Sequence, residues 1–155
     1  YNDVLDATKD LDVHVLLVGD GPERDNLEEQ ARLNEMEERV HMPGRRDDIP
    51  EVLQTMDVFC LPSENEGMSN ALLEAMAAGR CCVVSDIDEN EVLIGDNAGQ
   101  SYQKGDWKAL KEVLQRLKED ETARKSLGRR ANQKIRSDYS SKQTRKRFER
   151  ILCVA

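Results

Sequence analysis

The sequence predicts an α/β fold: a parallel sheet with helices on both faces, followed by a helical C-terminal tail. Two observations carry this expectation. Short apolar runs rich in β-branched residues alternate with longer segments of helical period, the pattern of βαβ units with right-handed crossovers. Apolar residues make up 38%, charged residues 35% and aromatics 4% of the 155 residues, which suits solvated helices around a small sheet better than a β-sandwich or a disordered chain. A chain of this length can bury a core of its own.

The elements follow in order. Val4, Leu5 and Ala7 mark the end of a helix, so the chain is expected to begin mid-unit. Residues 13–18 (VHVLLV) form the first strand, closed by the turn Gly19-Asp20-Gly21-Pro22, after which Leu27, Ala31 and Leu33 recur in a highly charged helix. Residues 40–42 are a brief strand stopped by Pro43-Gly44. A short helix over residues 49–56 leads to a strand over residues 58–61, ended by Pro62. Residues 71–78 read as a helix, Gly79 as its C-terminal cap and residues 81–84 as another strand. Strands apolar on both sides imply helices on both sheet faces, a Rossmann-like arrangement. After Tyr102 the pattern becomes helical: Asp106 is placed to cap a helix carrying Leu110, Val113, Leu114 and Leu117, and two further helices are expected. Trp107 is expected to anchor this tail (residues 106–155) to the α/β core (residues 1–105).

The net charge of -8 hides an asymmetry. Between Arg124 and Arg150 eleven Lys/Arg face only Asp138 and Glu149, so this segment carries +9 and the remainder -17. Such a run is read as a solvated helix face, with a membrane surface as the alternative; without interleaved aromatics it does not indicate nucleic acid. Phe148, Ile151 and Leu152 give the last segment a narrow apolar stripe. No long apolar span or signal peptide is present, so the cytoplasm is the expected compartment, with the cytoplasmic face of a membrane as a variant. Cys60, Cys81 and Cys82 lie in apolar runs, Cys153 near the C-terminus, and none has metal-ligand spacing; buried thiols and no metal site are expected. His14 and His41 are expected to be packed strand residues.

Chemistry concentrates in residues 63–79. The loop of residues 63–68 leaves the carboxyl end of a strand, where ligands of open parallel sheets sit. Gly67 admits a close backbone approach, and the N–H groups of Met68, Ser69, Asn70 and Ala71 open a helix whose positive end can hold a phosphate. Glu66 precedes that helix and Glu74 lies within it, away from Leu72, Leu73 and Met76. Carboxylates accept from hydroxyls rather than bind phosphates, so a pyrophosphate flanked by two polyols would satisfy the set. Read alone, the two acids could equally be a loop carboxylate and a first-turn residue favoured by the helix dipole.

Pro62-Ser63, Glu66-Gly67 and the run Leu72-Leu73-Glu74-Ala75-Met76-Ala77-Ala78-Gly79 resemble the E-x7-E signature of glycosyltransferase family 4, retaining enzymes of the two-domain GT-B fold. Val18-Gly19-Asp20-Gly21-Pro22, Gly44 with Asp47-Asp48-Ile49-Pro50, Asp57-Val58-Phe59, and Val84-Ser85-Asp86 with Glu91 fall in the family's order, so the similarity spans residues 13–107. The resemblance implies that this is a C-terminal donor-binding domain for a nucleoside diphosphate sugar, UDP- or GDP-linked. It further implies that Glu66 lies against the sugar as the catalytic-site carboxylate, that Gly67, Met68, Ser69 and Asn70 hold sugar and diphosphate, and that Glu74 binds the ribose. Gly44 and Arg45 would contact the base; Arg45 and Arg46 could also be solvated turn residues. No metal or other cofactor is implied.

Against the family pattern, the Arg and Lys that neutralise the diphosphate have no counterpart before Val13. The acceptor-binding domain is missing as well. Asp88-Glu89-Asn90 stands where glycines are common, Cys81 stands where proline is common, and Arg80 is at the far end of its helix from the phosphate site. Hexosyl transfer to an acceptor hydroxyl is therefore expected of the whole enzyme and not of this segment alone. A non-catalytic Rossmann-like binding or assembly module is the competing reading, whereas a dinucleotide-binding domain is disfavoured because Gly19 and Gly21 lead into Pro22 with no third glycine.

Overall fold

In the computed structural model, which describes residues 1–65 and 67–139, seven helices and five strands alternate as expected for the class. They are α1 (Asn2–Thr8), β1 (Val15–Val18), α2 (Arg24–Leu33), β2 (Val40–Gly44), α3 (Ile49–Thr55), β3 (Val58–Leu61), α4 (Asn70–Ala77), β4 (Cys81–Ser85), α5 (Asp88–Ile94), β5 (Gln100–Tyr102), α6 (Trp107–Glu119) and α7 (Glu121–Asp138). All strand pairs are parallel.

β4 explains why helices lie on both faces. Its five residues are all buried, and their side chains alternate between two cores. Cys81 and Val83 pack with Val4, Leu5, Leu27, Leu110 and Leu117, while Cys82 and Val84 pack with Leu53, Leu72, Met76, Leu93 and Ile94. A strand with two buried faces needs no polar alternation, which is why it reads as one apolar run. α6 begins where expected: Asp106 Oδ1 accepts from the N–H groups of Lys108 and Ala109, both at 3.0 Å. Its Leu110 and Leu117 are fully buried, and Trp107 packs against the same core. α7 contributes Leu127 to one core and Ala131 to the other.

Several expectations need correction. The strands form two ladders rather than one sheet, β1–β2 and β3–β4–β5. β1 starts at Val15, two residues later than the apolar run suggests. β2 runs through Pro43 to Gly44, where its register with β1 shifts; a proline, which has no N–H to give the ladder, is tolerated at such an irregularity. Asp88-Glu89-Asn90 begins a helix, α5, that was not foreseen, and neither was β5, because Gln100-Ser101-Tyr102 is too short and polar to stand out. His14 and His41 are exposed and stack on each other with ring centroids 5.3 Å apart and Nδ1 of His14 3.0 Å from Nε2 of His41, so they pack against one another rather than in a core. The apolar stripe of Phe148, Ile151 and Leu152, most of the basic run beyond Asp138, and Cys153 lie outside the described residues.

Candidate functional site

A concavity lies between the two ladders. Among the described residues β1 pairs only with β2 and β3 only with β4, so within them each keeps one edge without a strand partner. Residues 15–18 and 58–61, the whole of both strands, line a single cleft of about 710 Å³. Val52 and Leu53 of α3 lie along it, as do Val4 of α1 and Leu114 of α6. The cleft also reaches Ala71 and Glu74 on α4. A backbone edge in an apolar cleft leaves donors and acceptors that folded proteins ordinarily pair.

α4 begins at the expected position. Ser69, 5% exposed, is its N-cap and accepts from Leu72 N–H at 3.3 Å. Asn70 and Ala71, both exposed, belong to the first turn, whose N–H groups have no carbonyl four residues earlier within the helix to bond. Leu72, Ala75 and Met76 are buried, which turns Glu74 outward to solvent. Met68 stands 66% exposed, and Gly67 is exposed with open space where a Cβ would be. Glu66 lies outside the described residues. Gly79 adopts φ +70° just past the helix end, the left-handed conformation that glycine supplies there.

A second group of predicted residues gathers where β1 and β2 end. Gly19 N–H donates to Gly44 O at 2.9 Å, joining the turn of residues 19–22 to the loop after β2. Gly19 (φ +132°) and Gly44 (φ +78°) both use backbone conformations that favour glycine. Asp20 Oδ1 accepts from Gly21 N–H, and Arg24 donates to Met42 O at 2.8 Å, closing the junction. Arg45 is exposed. Arg46 pairs with Asp48, whose carboxyl this guanidinium holds below the usual carboxylate range. Arg80 donates to Met56 O and Ala78 O, so it ties α3 to α4 and is not a cation of the site.

Burial governs the thiols: it pushes Cys60 to about 12 and Cys81 to about 11 and raises Cys82 further. They stay protonated and are poor nucleophiles. Among the described residues no group of three His, Cys, Asp or Glu could hold a metal ion, and no helix is long and apolar enough to cross a membrane.

What the sequence reading missed is the cleft itself and the polar groups that hold the loop before α4. Ser85 and Lys104 reach that loop and Asn90 holds Ser85, as described below. The one available signal was Ser85, a small hydroxyl closing an otherwise apolar strand.

Parallel ladders, helices on both faces and a capped helix start at the strand ends define a Rossmann-like domain of the GT-B kind. Over 99% of its length the chain superposes on the Anabaena protein HepE, solved in complex with UDP, with a TM-score of 0.91 at 22% identity, covering 44% of that chain. The family described as glycosyl transferases group 1 matches residues 1–134, and the chain belongs to it. It is 30% identical over 143 residues to N-acetyl-alpha-D-glucosaminyl L-malate synthase of Bacillus anthracis, covering 92% of this chain and 38% of that protein. Over 81 residues it is 42% identical to a UDP-Gal:alpha-D-GlcNAc-diphosphoundecaprenol alpha-1,3-galactosyltransferase of Escherichia coli, covering 51% of this chain and 21% of that one. The chain thus spans about two fifths of the length of the Bacillus relative.

Proposed function

We propose that residues 1–155 are the C-terminal donor-binding domain of a retaining glycosyltransferase of family 4, which transfers a hexose-type sugar from a UDP- or GDP-sugar to an acceptor hydroxyl. The observation that carries this reading is the meeting of the cleft with the start of α4, where Ala71 and Glu74 both line it. Ligands of open α/β sheets bind beyond the strands' carboxyl ends at such a break in strand order. The solved complexes of HepE with UDP and with UDP-glucose support a nucleotide sugar as the ligand class.

In this reading the diphosphate lies at the N–H groups of Ser69, Asn70 and Ala71, and Glu74 accepts from the ribose hydroxyls. Glu66 orients the sugar, Gly67 and Met68 leave room for it, and Gly44 and Arg45 border the base. The acceptor oxygen bonds to the anomeric carbon on the face that the diphosphate leaves, so configuration is retained, and the acceptor's proton passes to the departing diphosphate oxygen as that bond breaks. The helix N–H groups take up charge on the leaving diphosphate, a contribution that grows as the bond breaks and therefore lowers the barrier. No metal or other cofactor is needed in this scheme. The cleft supports placing the domain within a longer chain: two unpaired apolar strand edges fit one further strand, and α1 precedes β1 as the crossover helix of a βαβ unit would. We assign the acceptor-binding domain and the diphosphate-neutralising cations to the rest of that chain. The enzyme would work in the cytoplasm, and its basic segment could meet the anionic cytoplasmic face of a membrane.

The test is a nuclear magnetic resonance titration of the longer protein with UDP and UDP-sugars. Amide shifts at Gly67, Met68, Ser69 and Asn70 are expected; their absence at saturation favours the assembly-module reading. In the same protein Glu66→Ala should lower mainly kcat, and an equal loss from the exposed Glu37→Ala would contradict the role given to Glu66. Transfer by residues 1–155 alone would overturn the account of an incomplete site.

A further inference from the structure

The loop of residues 62–69 carries most of the proposed donor contacts, and its own backbone does little to hold it. Among the described residues, Pro62, Glu64, Asn65, Gly67 and Met68 take part in no backbone–backbone hydrogen bond outside helices and strands. Its two ends are fixed by serine hydroxyls. At the far end Ser69 is buried as the cap of α4. At the near end the hydroxyl comes from another element: Ser85, the fully buried last residue of β4, donates from Oγ to Ser63 O at 2.5 Å.

Ser85 is itself held. Asn90, fully buried on α5, donates from Nδ2 to Ser85 O at 3.2 Å and to Ser85 Oγ at 3.3 Å. A hydroxyl has one proton to give. Because Ser85 Oγ accepts from Asn90 and donates to Ser63, its rotor has a single satisfied orientation. The chain Asn90–Ser85–Ser63 is therefore directional, and each link polarises the next in a water-poor site. A second tether lies beside it: Lys104 N–H donates to Asp86 Oδ1 at 2.7 Å, and Lys104 Nζ donates to Glu64 O at 3.4 Å.

We propose that Ser85 and Asn90 are positioning residues for the loop before α4: they fix its entry at Ser63, as Ser69 fixes its exit, and leave Glu64, Asn65, Gly67 and Met68 presented to the ligand. Lys104 supports the same entry from the turn after β5. The proposal rests on the donor-site reading for its consequence in catalysis, while the tether itself is a property of the fold. Positioning of this kind bears on the rate because a small misplacement of a contact group is costly at a reacting centre.

The experiment measures nitrogen-15 order parameters of Glu64, Asn65, Gly67 and Met68 in the 155-residue chain and its variants. Ser85→Ala and Asn90→Ala should move those amide signals and drop their order parameters from about 0.85 to below about 0.6. Ser85→Thr, which keeps the hydroxyl, should restore them. Leu127→Ala, in the opposite core, serves as a variant destabilised at least as much, and should leave the loop unchanged. A loop already below about 0.6 in the unaltered chain, or one equally ordered in Ser85→Ala and Asn90→Ala, overturns the proposal. In the longer transferase, Ser85→Ala is expected to lower kcat about ten-fold, with recovery in Ser85→Thr. Loop order lost while UDP-sugar turnover is unchanged keeps the tether and removes the donor role from the loop, so the two failures are distinguishable.

Discussion

The two ladders differ in how they are built. In β3–β4–β5 the middle strand is buried at all five positions and helices press on it from both sides through Leu72, Met76, Leu110 and Leu117. In β1–β2 the second strand has no buried residue, and α2 contributes only Leu27 and Ala31 to the interior. The capped helix α4 and its tethered loop stand on the first, and the glycine junction of Gly19 and Gly44 stands on the second. A buried central strand gives a stiff platform, while an edge strand depends on turns and exposed pairs. In the proposed donor site, the diphosphate contacts stand on the former.

The comparison can be broken most sharply at the crossing of α7 over α4. A Cβ on Gly128 would fall 2.0 Å from Gly79 O and 2.9 Å from Gly79 C, and both are backbone atoms that cannot rotate away. Gly128→Ala should cost about 3 kcal/mol in urea unfolding; a loss under about 1 kcal/mol would mean that α7 does not clamp this half. Next in size, Leu72→Ala should cost about 3 kcal/mol and Leu27→Ala nearer to 2 kcal/mol. The reverse order would place the stiffer core on the β1–β2 side.

The pH dependence has two limbs of opposite sign. Burial raises Cys60 and Cys81 from an ordinary 9.0 to about 12 and about 11. Below pH 9 their contribution is fully present, and it is lost as unfolded thiols ionise between pH 9 and about 11 to 12, so the urea midpoint should fall from pH 8 to pH 10.5. Glu29 and Asp48, near α2 and β2, are lowered by hydrogen bonds from Arg32 and Arg46. Their contribution is present above the ordinary carboxylate value and lost as pH falls through the lowered ones. Both are exposed, so this acid limb should be shallow and shrink further in salt. The smallest effect is expected from His41→Ala, which removes an exposed stacked pair: less than about 0.5 kcal/mol by urea unfolding.

Particular residues show what could be read from the chain. Val58 to Leu61, Gly79 and Asp106 stand where their chemistry puts them: an apolar run before proline, a left-handed cap and an N-terminal acceptor. The strand at residues 100–102 could not be read, because Ser101 and Gln100 carry no pattern and their strand state follows from pairing with β4. The fate of His14 and His41 was also hidden, since alternation along one strand does not reveal that a neighbouring strand presents a second histidine. Glu74 was legible as an outward carboxylate from its spacing to Leu72 and Met76, whereas Ser85 acts on Ser63, 22 positions away.

The sequence by itself determined the α/β class, the order of its elements other than α5 and β5, the capped start of α6 and the outward placement of Glu74. Each follows from periodicity or from a side chain bonding its own near neighbours, which are local physics. Only the tertiary structure decided that the strands form two ladders, that their unpaired edges enclose one cleft reaching α4, and that the loop is tied from β4 and α5. Those depend on which backbone edges meet, and the pairing of edges is set by the packing of the whole chain.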